Sequence, residues 1–307
     1  MAAVEWFDGF EARAYDVDGV RVFARTGGNP DGEPLVLLHG FPQTHVMWHR
    51  VATTSAAGRS LADRFALVLP DLRGYGDSAR PAGGGDHADY SKRAMATDVV
   101  ALMRLLGHDR FALAGHDRGA RVGHRLALDH PDALTRLALL DIAPTLDMYA
   151  ATDRAFATAY YHWFHLIQPE PLPERMIGGD PDFYLRATLG GWGAAGLAHV
   201  EPEALAEYRR CFTAPGTIHA LCEDYRAAAT IDLEHDRAAR VAGDRIGCDT
   251  LVLWGGNGVV AALFDPMALW RAQCAGQVTG KALPCGHYLP EEAPDETAAA
   301  LLAFFGS

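Results

Sequence analysis

The stretch Phe111-Ala-Leu-Ala-Gly-His-Asp-Arg-Gly-Ala-Arg121 decides how the rest of the chain is read. Its first residues are apolar or small without alternation, as in a strand covered on both faces. From Gly119 to His130 the apolar residues fall at helical spacing. Between them lies Gly115-His-Asp-Arg-Gly119, a G-x-D-x-G turn in which small flanking residues let a strand and a helix meet at a sharp corner. The corner presents a carboxylate, Asp117, at the end of a strand.

Working outward, Pro34-Leu-Val-Leu-Leu-His39, Phe65-Ala-Leu-Val-Leu-Pro70, Leu137-Ala-Leu-Leu-Asp-Ile142 and Leu251-Val-Leu-Trp-Gly255 are further apolar runs, and Ser91 to Leu106 is a second helical stretch. This pattern predicts an α/β fold with a mostly parallel sheet flanked by helices. Glu11 to Asp16 and Val20 to Arg25 alternate around Val17-Asp18-Gly19, which predicts an antiparallel hairpin at the sheet edge. From about Leu146 to Arg240 the strand pattern gives way to aromatic-rich helical text, broken at Gln168-Pro-Glu-Pro-Leu-Pro173 and Gly178-Gly-Asp-Pro181. Strand resumes at Thr250. The expected organisation is a core of residues 1–145 and 241–307 carrying a helical cap at 146–240. Pockets form where such a cap meets the strand ends.

Of 307 residues, 49% are hydrophobic and 21% charged, the balance of a globular chain with a sizeable core. Against 27 Lys+Arg stand 39 Asp+Glu, a net charge of −12, which argues against nucleic acid and anionic membrane surfaces as partners. The N-terminal MAAVEWFDGFEARAY lacks the basic and apolar regions of a signal peptide, so a cytoplasmic location is expected. The five cysteines have no C-x-x-C spacing and are read as reduced thiols.

Nucleophilic catalysts at such a turn usually carry serine, and aspartate there changes the chemistry. A carboxylate attacks saturated carbon, displaces a leaving group and forms an ester. His39-Gly-Phe-Pro42 follows the strand at Pro34, so the amides of Phe41 and Arg118 form a candidate oxyanion hole. His287, in Cys285-Gly-His-Tyr288, falls where the base of this triad order belongs. The stretch Trp254-Gly-Gly-Asn-Gly258 lacks the acid that often follows the penultimate strand, which leaves Asp141 at the end of the Leu137 run to orient His287, with Asp265 as the alternative. Arg118 and Arg121 lie three apart on one helix face, suited to a substrate carboxylate and to keeping Asp117 ionised. Two other patterns are set aside. Gly74-Tyr-Gly-Asp-Ser-Ala79 imitates a dinucleotide loop but no helix follows, and His45 with His49 lacks a carboxylate third ligand; no metal and no cofactor are expected.

Motifs along almost the whole chain, His39-Gly-Phe-Pro-Gln-Thr44, Asp71-Leu-Arg-Gly-Tyr-Gly-Asp-Ser78, Asp117-Arg-x-x-Arg121, Tyr161-His-Trp-Phe164, Cys222-Glu-Asp-Tyr225 and Cys285-Gly-His287, resemble the α/β-hydrolase-fold haloacetate dehalogenases, nearest to the fluoroacetate dehalogenases. The first two occur widely in hydrolases of that fold, whereas Asp117-Arg-x-x-Arg121 with His162-Trp163 is specific. The resemblance implies that Asp117 displaces fluoride, that Arg118 and Arg121 grip the carboxylate, and that His287, held by Asp141, activates water. It further implies a halide site of His162, Trp163 and Tyr225, whose ring N–H and O–H groups are donors for a departing anion. Trp192, in Gly190-Gly-Trp-Gly193, is expected to line the pocket. The implied partner is a small haloacid, and the implied assembly a homodimer. The alternatives are a haloacid dehalogenase that prefers chloro or bromo acids and defluorinates weakly, and an epoxide hydrolase, which shares the Asp nucleophile and His base but needs no arginine pair; a haloalkane dehalogenase would want an apolar group at Arg121, and a silent hydrolase-fold binding protein would have no need of the triad.

Overall fold

The computed structural model describes residues 6–53 and 58–306; Met1 to Glu5 of the N-terminal stretch considered above lie outside these. Among the described residues, eight strands form one sheet in the order β1-β2-β4-β3-β5-β6-β7-β8. They are β1 (Glu11–Val17), β2 (Val20–Gly28), β3 (Pro34–Leu38), β4 (Ala66–Pro70), β5 (Phe111–His116), β6 (Leu134–Leu140), β7 (Asp249–Gly255) and β8 (Val278–Leu283). β1 and β2 pair antiparallel, β2 is antiparallel to β4, and every later pairing is parallel. The hairpin turns at Asp18 and Gly19, both with positive φ, as a two-residue turn between right-twisted strands requires.

Burial explains which strands were legible. β3 and β5 are shielded along nearly their whole length, so their residues up to His116 are apolar or small. β8 was not anticipated. It is the sheet's last strand, its central residues Thr279 to Ala282 are exposed, and Gly280 and Lys281 replace the apolar run that a covered strand would carry.

Every regular element described between β6 and β7 is a helix, from Thr145–Ala150 to Ile231–Ala242. Their inward residues, among them Tyr160, Trp163, Leu185, Tyr208, Phe212 and Tyr225, are buried and continuous with the core over the strand ends. The helix Lys92–Leu105 is capped by Ser91, whose side chain accepts from the Ala94 amide; Arg118–Asp129 starts directly at the β5 corner. No described helix is long and apolar enough to cross a membrane.

Close packing fixes the corner. A Cβ on Gly119 would lie 2.5 Å from the His39 carbonyl oxygen, and one on Gly40 would lie 2.7 Å from Cβ of Asp117. The Gly119 amide donates to that same His39 oxygen at 2.9 Å, so neither backbone can retreat without losing a bond. Gly119→Ala should therefore cost about 1–3 kcal/mol. Gly191→Ala, with nothing within 4 Å of the added carbon, should be neutral or stabilising. Urea denaturation of both variants checks the contrast.

Candidate active site

The C-terminal ends of the parallel strands bring together residues far apart in the chain. Asp117 follows β5, Asp141 follows β6, Phe41 follows β3, and His287 lies four residues after β8. Asp117 has φ 46 and ψ −112, a conformation forced on a non-glycine residue by the corner. Its amide donates to the Leu140 carbonyl at 3.1 Å, and its Oδ2 accepts from the Phe41 amide at 3.0 Å. Asp141, with φ 52, is likewise held in the left-handed region; its amide donates to the Leu253 carbonyl at 2.8 Å.

From that position Asp141 reaches two partners. Its Oδ1 accepts from the Gly255 amide at 2.8 Å, and its Oδ2 lies 2.6 Å from Nδ1 of His287. The β7 exit, which has no acid of its own, thus contributes a donor instead. Asp265 lies apart from this pair, capping the helix Pro266–Gln273 by accepting from the Ala268 amide. Behind His287, His116 donates from Nε2 to the His287 carbonyl at 2.7 Å, and the His287 amide donates to the Trp192 carbonyl at 3.0 Å. Burial, with His287 alongside, pushes His116 down to about 3, so it acts as a neutral prop.

Electrostatics separate the three titratable groups. Burial alone would raise the Asp117 carboxyl, but the charges of His287, Arg121 and Arg118 outweigh it and hold Asp117 below its ordinary range. Burial alone would lower His287, but its bond to Asp141 and the charges of Asp141 and Asp117 raise it above 6.5. His162 is pushed well below 6.5 by burial and is a neutral imidazole, its Nδ1 unpartnered among the described residues.

The two arginines, both buried, are used differently. Arg118 donates from Nε to Asp224 Oδ2 at 2.8 Å, and from Nη2 to both Asp224 Oδ1 and the Asp224 carbonyl at 2.8 Å each. Its guanidinium also covers the Tyr225 ring at 4.2 Å. Arg121 donates from Nη1 to Thr145 Oγ1 at 2.7 Å and to the Ala143 carbonyl at 3.2 Å, and lies 4.7 Å over the Trp163 ring. Its Nε is buried with no partner among the described residues. The expected pair of open forks is thus replaced by one fork turned toward Asp224 and one with a donor to spare.

An aromatic wall closes the site. The His162 ring is parallel to Phe41 at 5.9 Å, 4.1 Å from Trp192 and 5.4 Å from Tyr225; Trp192 stands 5.9 Å from the His287 ring. The structure therefore gathers Asp117, Asp141, His287, Phe41, His162, Trp192 and Tyr225 around one space, with Trp163 behind Arg121. Sequence reasoning missed Asp224, which it quoted in a motif without a role, together with Lys92 and Tyr75, which bind Asp224 from distant segments. Tyr75 too stood in a quoted motif without a role, and nothing local marks Lys92. The set-aside histidines hold structural bonds: His45 Nδ1 lies 2.8 Å from Asp71, and His49 joins the Val46 carbonyl and Glu201.

Comparison with known proteins gives a match to the alpha/beta hydrolase fold family over residues 33–294. A fluoroacetate dehalogenase of Burkholderia sp is 47% identical over 298 residues, covering 97% of this chain and 94% of that protein. A soluble epoxide hydrolase of Corynebacterium sp. (strain C12) is 34% identical, covering 94% and 95%. The crystal structure of ALR0039 from Nostoc sp PCC 7120 superposes with a TM-score of 0.91 at 54% identity, over 96% of this chain and 98% of that one.

The raised His287 carries a stability signature. A group that binds its proton more tightly when folded contributes stability fully present below 6.5 and lost as pH rises through the raised value. The stability difference between the protein and His287→Gln should shrink as pH rises above 6.5, measured by urea denaturation across a pH series.

Proposed function

We propose, because this chain belongs to the α/β hydrolase fold family, that its buried aspartate site hydrolyses haloacetates, fluoroacetate included, to glycolate and halide. The observation that carries this reading is the placing of the buried Asp117 carboxylate, kept ionised, beside two arginines and a His–Asp pair, with the buried rings of Phe41 and His162 stacked nearby. The 47% identity to a fluoroacetate dehalogenase over almost the whole of both chains supports it.

An Asp117 oxygen attacks the α-carbon of the haloacetate, the carbon–halogen bond breaks with its electron pair, and halide leaves as the ester forms. Arg118 and Arg121 hold the substrate carboxylate and offset its repulsion with Asp117. His162, Trp163 and Tyr225 direct neutral N–H and O–H donors at the departing halide, and fluoride, small and strongly hydrated, needs such donors most. His287, oriented by Asp141, then takes a proton from water, and the hydroxide adds to the ester carbonyl. The amides of Phe41 and Arg118 stabilise the oxyanion until glycolate departs and Asp117 is regenerated. The Phe41 amide already donates to Asp117 at 3.0 Å, which supports its share of this role. The proton leaves through His287, which balances the products as glycolate, halide and one proton.

The helices at 146–240 act as the cap in this scheme, because His162, Trp163, Trp192 and Tyr225 all come from them. A cytoplasmic homodimer completes the reading, supported by the acidic composition and by the exposed Leu172, Met176 and Phe183 on adjacent cap helices. An epoxide hydrolase activity is the second reading, favoured by the 34% identical relative and by the buried Tyr225 beside His162, a phenol of the kind that could protonate an epoxide oxygen. The arginine pair weighs against it, since an epoxide brings no carboxylate.

Fluoride release from millimolar fluoroacetate, followed with an ion-selective electrode beside chloroacetate and styrene oxide, tests these alternatives. Asp117→Asn should abolish release with the fold intact, and retained turnover would remove the covalent mechanism. His287→Asn should accumulate a carboxymethyl adduct visible by intact-protein mass spectrometry. Trp163→Phe should slow fluoride release more than chloride release, and equal losses would undo the halide assignment.

A further inference from the structure

Arg118 has five N–H donors, and Asp224 takes three of them: Nε–H and both hydrogens of Nη2. Only Nη1 remains for a ligand. Arg121 has an Nε without a partner among the described residues, so each arginine has one nitrogen to offer a carboxylate. The fork of Arg118 thus serves to aim it, and Asp224, immediately before Tyr225, fixes the direction by gripping the guanidinium on one edge.

That grip has an electrostatic consequence. An aspartate in contact with an arginine cancels much of its charge, and in a buried site the cancellation is not relieved by water. Arg118 would then attract a substrate carboxylate weakly. A second cation shares Asp224: Lys92 Nζ bonds Oδ1, the oxygen that Arg118 Nη2 also reaches, and the Tyr75 hydroxyl donates to Oδ2 at 2.6 Å. Lys92 is itself buried, 3.8 Å from Oδ2 of Asp232, whose Oδ1 accepts from the Lys92 amide at 2.8 Å. Burial pushes Asp232 up to about 6, and above that pH it is an anion.

We propose that Lys92 is a positioning residue for carboxylate binding: by sharing Asp224 it leaves Arg118 with an effective positive charge at Nη1, while Asp232 moderates that charge. This rests on the reading of Arg118 and Arg121 as the carboxylate site. Lys92 touches no substrate; it acts through Asp224 and Arg118 across a dry, fixed chain of contacts. The two outer groups should therefore have opposite effects. Removing Lys92 makes the cluster more negative and repels a carboxylate, whereas neutralising Asp232 makes it more positive and attracts one.

Binding of glycolate, which needs no turnover, tests this by isothermal titration calorimetry at pH about 8.5, where Asp232 is ionised. Lys92→Met should weaken glycolate about tenfold and raise KM for the haloacetate while leaving the single-turnover rate at saturation little changed. Asp232→Asn keeps the acceptor for the Lys92 amide and should tighten glycolate by about two- to fivefold. A merely structural role cannot produce that gain, and Asp232→Asn alone carries the test if Lys92→Met fails to fold. Unchanged or weaker binding in Asp232→Asn overturns the proposal, as does wild-type affinity in folded Lys92→Met or absence of glycolate binding by the wild type. Wild-type protein that binds glycolate, with the opposed shifts in the variants, yet releases no halide would remove the dehalogenase reading and leave the role of Lys92 standing.

Discussion

A carboxylate buried at a strained strand-to-helix corner and kept ionised is the constraint from which the surrounding structure follows. Desolvation opposes the charge on Asp117, so cations must lie close by, and His287, Arg121 and Arg118 supply them. Each cation is buried in turn and needs its own partners. His287 has Asp141, Arg121 has Thr145 and the Ala143 carbonyl, and Arg118 has Asp224. Asp224 then needs Lys92 and Tyr75, and Lys92 needs Asp232. One buried charge thus organises a layer of alternating sign that runs from the strand ends into the cap helices.

Backbone geometry fixes this layer more firmly than side-chain packing could. Asp117 and Asp141 both occupy positive φ, and each is tied by its amide to the adjoining strand, at Leu140 and Leu253 respectively. The sheet holds the corners, the corners aim the side chains, and the glycines at positions 40 and 119 allow β3 and the following loop to approach within hydrogen-bond distance. Little reorganisation is then required when charge moves, which is the condition under which fixed donors stabilise a transition state.

The aromatic wall supplies the other half of that condition. Phe41, His162 and Tyr225 are buried with Trp192 packed against them, and the low exposure reduces solvent screening of the charge contacts nearby. Burial keeps His162 uncharged, so it offers a single ring N–H as a donor without a counter-ion of its own.

The local text of the chain determined the α/β class, the corner at Asp117, the hairpin, the helical stretch between β6 and β7 and the candidate partners His287, Asp141, Arg118 and Arg121. Each depends on residue type, short-range spacing or order along parallel strands, and these are written in consecutive residues. β8 escaped because an exposed edge strand need not be apolar, and the missing acid at Trp254 to Gly258 became meaningful only when the Gly255 amide was found on Asp141. Tertiary structure alone decided how the arginines are used. Asp224, Lys92, Tyr75 and Asp232 lie on four separate segments, and no periodicity links them. Their coupling exists because buried charges must find opposite charges, wherever the fold brings them within reach.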